Sequence, residues 1–252
     1  MRMGRGAKSG RSIASIVCIV VLAFCTSDLA VAQDYAGSFL VNPFGAIAMP
    51  TGRFAETDPE ADPPKSGHNT GYSLGADFGF LVTSGLAIGV GVRMASFDID
   101  FGPEIEAQFP AKTAKTDVLM AELWGRWFLP RGFERWRPYL IGAVGIGRPK
   151  GTVEYDAPFI ITLPDNGGTI ELQRLESTIS TSVMVTGGVG VFIPISPAVG
   201  LNLEPRYTLL DTKGAERTDE YETSDGQITE AKDTARSNTN WWEVRGGIFI
   251  SL

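Results

Sequence analysis

The stretch "GYSLGADFGFLVTSGLAIGVGVRM", Gly71 to Met94, keeps small or polar residues on one parity and large apolar ones on the other. Tyr72, Leu74, Ala76, Phe78, Phe80 and Val82 share one face, while Gly71, Ser73, Gly75, Asp77 and Gly79 share the opposite one. A period of two marks a strand whose two faces meet different surroundings. The chain reverses at Thr83-Ser84-Gly85, and the return run sets Leu86, Ile88, Val90, Val92 and Met94 against Ala87, Gly89, Gly91, Arg93 and Ala95. The pattern predicts a hairpin with one greasy surface and one small or polar surface.

The same alternation recurs along the chain. In "TDVLMAELWGRWFLP", Leu119, Ala121, Leu123 and Trp127 oppose Met120, Glu122, Trp124 and Arg126. Further on, Val183, Val185, Val189 and Val191 oppose Ser182, Thr186, Gly188 and Gly190, and Leu201, Leu203, Tyr207 and Leu209 oppose Asn202, Glu204, Arg206 and Thr208. The last run sets Trp242, Val244, Ile248, Ile250 and Leu252 against Glu243, Arg245, Gly247 and Ser251. Two more runs, "YAGSFLVNPFGAIAM" and "RPYLIGAVGIGR", are apolar on both parities, so their registers stay open.

Eight strands follow, and no amphipathic helix accompanies them. Short links fall at about residues 83–85, 130–137 and 195–198, and long ones at about 50–70, 98–115, 149–177 and 212–238. Long and short links therefore sort to opposite ends. A soluble sandwich has no reason to sort them, whereas an outer-membrane barrel has short periplasmic turns and long extracellular loops. An even strand count also lets first and last strands meet, leaving no open edge in lipid. The fold class predicted is all-β: an eight-stranded antiparallel up-and-down transmembrane β-barrel spanning residues 33–252.

Residues 1–32 are expected to be a cleaved signal peptide. Arg2, Arg5, Lys8 and Arg11 form a basic segment, "SIASIVCIVVLAFC" an apolar core, and Ala30-Val31-Ala32 a cleavage site. That apolar run falls short of the roughly 20 residues that span a bilayer. Both cysteines, Cys18 and Cys25, leave with this segment, which rules out disulfides and cysteine metal sites in the exported chain. The remainder carries 18 basic against 28 acidic side chains, so nucleic acid is excluded as a partner.

The 30 glycines now have a reason. An eight-stranded barrel is just wide enough to be filled by side chains, so bulk must point outward and small or polar residues inward. Leu74, Phe78, Val90, Leu123, Val189, Leu203 and Ile248 are expected to face lipid, with Tyr72, Trp127, Tyr207 and Trp242 in interfacial girdles. The inward parity holds Asp77, Glu122, Glu204 and Glu243 with Arg93, Arg126, Arg206 and Arg245, four charges of each sign. Unpaired charge in a narrow lumen is costly, so a matched network plugging the barrel is expected. The functional alternative is a gate whose pairs exchange.

These features resemble the small outer-membrane β-barrel proteins of diderm bacteria, the porin-like superfamily of OmpA, OmpX and OmpW type. The signal segment, the eight alternating runs, "AMPTGRF", "RPYLIGAVGIG" and the terminal strand carry the likeness. It implies residence in the bacterial outer membrane among lipid and lipopolysaccharide, and assembly by the barrel-assembly machinery. That machinery would read the terminal alternation Val244, Ile248, Ile250, Leu252, although the family usually ends on an aromatic residue. The chain stops at the eighth strand, so no peptidoglycan-binding domain is expected.

A non-enzymatic anchor presenting long extracellular loops is the function expected first, with an unknown extracellular ligand. A narrow channel or transporter for small or hydrophobic solutes is the alternative, and a lipid-modifying enzyme of the outer membrane comes third. No cofactor, metal or catalytic residue is expected. The one histidine of the exported chain, His68, reads as a solvated loop residue, and the acidic runs "ETDPEADPP" and "ERTDEYETSDG" read as solvated, mobile loops.

Overall fold

The computed structural model describes residues 37–57, 66–101, 111–129, 136–162, 169–196, 198–235 and 238–252. The expected signal segment and most of "ETDPEADPP" lie outside the described residues. The strands are β1 (Phe39–Pro50), β2 (Gly67–His68), β3 (Gly71–Thr83), β4 (Leu86–Asp100), β5 (Ala111–Phe128) and β6 (Arg137–Thr162). They continue with β7 (Thr169–Ile179), β8 (Ser182–Pro194), β9 (Val199–Leu210), β10 (Glu216–Thr223), β11 (Ile228–Thr234) and β12 (Thr239–Ser251). One 3-10 turn, Gly52–Phe54, follows β1.

Antiparallel neighbours run β1-β3-β4-β5-β6-β8-β9-β12, and β12 pairs back onto β1 from Leu40↔Ser251 to Pro50↔Trp241. The result is a closed eight-stranded up-and-down barrel. The turn at Ser84-Gly85 and the strand ends Phe39, Phe128, Arg137 and Ser251 lie at one rim, which we call the short-turn end. Opening the sheet anywhere would expose backbone donors and acceptors, and closure removes that edge.

The other rim differs from the reading of long, loop-like links. Strand β6 continues 26 residues to Thr162, and β7, β10 and β11 are strands rather than loops. β7 leads through 180–181 into β8 and β9 through 211–215 into β10, while β11 precedes β12 in the chain. Upper β6, β7, β10 and β11 thus form a four-stranded blade standing on the barrel. The acidic run "ERTDEYETSDG" is strand β10 and its turn, with Asp219 buried. Alternation did not reveal these strands because a strand in water, held by its ladder, needs no continuous apolar face.

Side-chain exposure alternates along the barrel strands. Leu74, Phe78, Val90, Leu123, Val189, Leu203 and Ile248 are all exposed on the outer surface, between 39% and 62%. Val244 is exposed on the same parity of β12, as is Leu252 just beyond its end. Tyr72, Trp127 and Trp242 lie toward strand ends on this surface, and the Tyr207 and Trp242 rings meet at 5.1 Å. The two open registers resolve as well: Leu40, Asn42, Phe44 and Ala48 of β1 and Tyr139, Ile141 and Ala143 of β6 point inward. An apolar outer belt around a closed sheet is the architecture of a transmembrane β-barrel.

Candidate functional site

The lumen is filled in three layers. Inward glycines make the filling possible, because they sit where aromatic rings or carboxylates need room. A Cβ on Gly79 or Gly89 would strike the Trp124 ring, one on Gly190 the Tyr139 ring, and one on Gly91 would stand 2.6 Å from Asp77 Oδ1.

The middle layer is ionic. Asp77 of β3, Arg93 of β4, Glu122 and Arg126 of β5, Glu204 and Arg206 of β9, and Glu243 and Arg245 of β12 all lie here, each at most 4% exposed. Toward the short-turn end, Arg126 Nη2 donates to Asp77 Oδ2 at 2.6 Å and Nε to Glu204 Oε2 at 3.2 Å. The Tyr139 hydroxyl donates to the same Glu204 oxygen at 2.8 Å. Toward the blade, Arg93 Nη1 donates to Glu243 Oε2 at 2.6 Å, and its Nη2 reaches Thr186 and Thr208 at 3.1 and 3.0 Å. Arg245 Nε donates to Glu243 at 2.8 Å.

Arg206 ties the two halves together. Its Nη1 donates to Glu122 Oε1 at 2.7 Å and its Nε to Glu204 Oε1. On the wall, Arg206 faces Glu243 and Glu204 faces Arg245 in the β9–β12 register, so neighbouring strands present opposite charges at each level. Every charge of this layer has an opposite charge within 2.8 Å, although both Nη atoms of Arg245 make no hydrogen bond among the described residues, and removing any member leaves its partner charged and buried.

Apolar layers cap the network at both ends. On the blade side, Phe97, Val118, Met120, Met184, Leu210 and Trp241 pack together with Phe54 from the 3-10 turn. On the short-turn side, Leu40, Leu81, Trp124, Tyr139, Ile141 and Phe249 form the second layer, with Phe128 and Phe192 against it. Beneath that layer, Phe128, Phe192, Phe249, Leu40 and Leu81 line an open bowl of about 270 Å³. Arg126 lies over the Trp124 ring at 4.5 Å, which couples the ionic layer to its apolar neighbour.

His68 is not a solvated loop residue. It pairs through β2 with Ile99 of β4 and stacks on Phe54 at 4.0 Å. Nδ1–H donates to the Phe54 carbonyl at 2.9 Å, so Nε2 is left to accept from the Thr116 hydroxyl at 2.8 Å. Burial lowers the imidazole from an ordinary 6.5 to about 4, against the opposing pull of the Phe54 carbonyl. The ring is therefore a neutral clamp that seats the Phe54 turn over the blade-side rim. Among the described residues, no group of three or more His, Cys, Asp and Glu side chains is arranged to hold a metal ion.

No protein-family model and no curated protein sequence matches the chain. Solved structures do. A major outer membrane protein of Thermus thermophilus superposes with a TM-score of 0.59 at 12% identity, over 85% of this chain and 99% of that one. OprG of Pseudomonas aeruginosa aligns over 88% and 99% at 12% identity with a TM-score of 0.48, and Neisserial surface protein A over 84% and 96% at 14% identity with the same score. At such identities the Thermus likeness establishes a shared fold, that of a small outer-membrane β-barrel.

Proposed function

We propose that the protein is a closed, non-conducting barrel of the bacterial outer membrane that anchors a rigid extracellular blade. The observation that carries this reading is the three-layered lumen, in which a buried ionic layer lies between apolar side chains above and below. A hydrated ion would have to part both apolar layers and break paired charges in between. Outward, the apolar belt suits lipid, the blade-side rim suits lipopolysaccharide headgroups, and the terminal alternation of β12 suits the barrel-assembly machinery. Catalysis finds little support: the ring nitrogens of His68 are both engaged in holding the rim.

The test is conductance in planar bilayers. The purified protein is expected to leave a bilayer nearly silent across ±100 mV, the unit potential in which a transmembrane charge is worth about 2.3 kcal/mol. Large, steady ionic currents would move a channel for small solutes to first place.

A further inference from the structure

Strand β11 is the free edge of the blade. Among the described residues it pairs with β10 on one side and with no strand on the other, and all seven of its residues are exposed. The hairpin closes with Thr223 N–H donating to Gln227 O at 3.0 Å, so residues 229, 231 and 233 bond inward to β10. Alternation then turns the N–H and C=O groups of Ile228, Glu230 and Lys232 outward. At the barrel end the Thr234 N–H is taken by the Asp233 carboxylate at 2.7 Å. The run "ITEAKDT" holds no proline or glycine, so neither a missing donor nor a glycine bulge blunts this edge.

The side chains add direction. Glu176 of β7, Glu220 of β10 and Glu230 of β11 stand directly opposite one another, a row of three carboxylates that ends at the edge. Glu176 is held by Lys150 at 2.5 Å and Arg174 at 3.2 Å. Among the described residues no ion pair reaches Glu220 or Glu230. Like charges opposite each other destabilise a ladder, and the position that would relieve this row lies one strand beyond β11.

We propose that β11 is the docking edge for an extended, basic segment of another polypeptide, which adds a strand to the blade and sets a Lys or Arg beside Glu230. Main-chain bonds supply the affinity in this mode and alternate side chains the choice of partner. A second copy of the chain is the poorer fit. The edge run of a second copy carries Glu230 and Asp233 against a single Lys232, so it offers net acid where the row calls for a base. An antiparallel pair of β11 strands would need one copy inverted relative to the other, which two copies threaded the same way through one membrane do not offer. The inference rests on the blade lying outside the bilayer, as in the reading above; conductance tests the sealed barrel separately.

The probe is the fluorescent peptide Thr-Lys-Val-Lys-Thr-Lys-Val-Thr, titrated by anisotropy onto the full barrel in detergent micelles. Its controls are the same peptide with Glu for Lys and with a central proline. The basic peptide is expected to bind, the acidic and proline versions to bind at least tenfold more weakly, and Glu230→Lys to weaken the basic peptide at least tenfold. Lys232→Pro, which removes one outward N–H, is expected to abolish binding, with the folded-barrel band in electrophoresis unchanged. Hydrogen exchange on the unmodified protein is independent of any variant: bound peptide should slow the amides of Ile228, Glu230 and Lys232. No binding, equal binding of the acidic or proline peptide, unslowed edge amides, or self-association through β11 would each overturn the proposal.

Discussion

Arg206 is fully buried with three carboxylates around it, Glu122, Glu204 and Asp77. Arg206→Ala is expected to lower stability by about 3–5 kcal/mol, because the stranded carboxylates stay buried. The measurement is the temperature at which the compact electrophoretic band converts to the unfolded one; Leu203→Ala, pointing outward from the same strand, leaves the network intact and serves as the comparison. His68 makes a second prediction, in pH. Its folded pKa of about 4 lies below the ordinary 6.5, so as pH falls from 6.5 to 4 the unfolded chain takes up a proton that the folded ring refuses. Stability is full above pH 6.5 and declines toward pH 4, by at most about 3 kcal/mol. Hydrogen exchange at the Phe54 turn across this range should show the decline, and His68→Phe should flatten it. Parity alone places Arg206 among the inward residues, so the membership of the ionic layer is legible in sequence. Its pairings are not, since Arg93 finds Glu243 across the lumen, 150 positions away. The clamp on His68 was hidden for the same reason: its partners come from positions 54 and 116, and nothing beside it in "KSGHNT" announces them.

Strands in lipid and strands in water leave different traces in a sequence. β3, β4 and β12 alternate cleanly because lipid demands bulk outside while a crowded lumen demands glycine or paired charge inside. Single cysteines test these faces without background, since neither cysteine of the sequence lies beyond Cys25. Val90→Cys, Leu123→Cys and Val189→Cys, once labelled, are expected to be quenched by brominated lipid. Ser73→Cys and Thr208→Cys, both fully buried, should resist water-soluble and lipid-soluble reagents alike until the barrel unfolds. The opposite ranking would mean the registers are inverted. The blade strands carried a fainter signal. β10 and β11 are joined through Ser224-Asp225-Gly226, with Gly226 at φ +80°, where the hairpin needs a left-handed residue. That Asp-Gly pair between runs rich in threonine was the available sign of a hairpin, overshadowed by the charge of its surroundings.

At the scale of the whole molecule, the barrel supplies a fixed base and the blade an exposed surface. The reading that residues 1–32 are removed on export predicts a mature protein beginning at Gln33 and recovered with outer membranes. Membrane fractionation followed by N-terminal sequencing checks both at once, and recovery in the soluble periplasmic fraction would contradict the barrel's placement. The arrangement of blade on barrel also has a mechanical side. β6 runs from Arg137 at the short-turn rim to Thr162 in the blade, flanked by β5 on one side and by β8 and then β7 on the other. Ladder bonds lie across the strand direction. A tug on the blade along β6 therefore loads many bonds in shear at once instead of peeling them one by one, and the strain passes straight into the wall of the barrel. Along β6, a pull on the blade is thus a pull on the barrel wall itself, with no slack linker to stretch first.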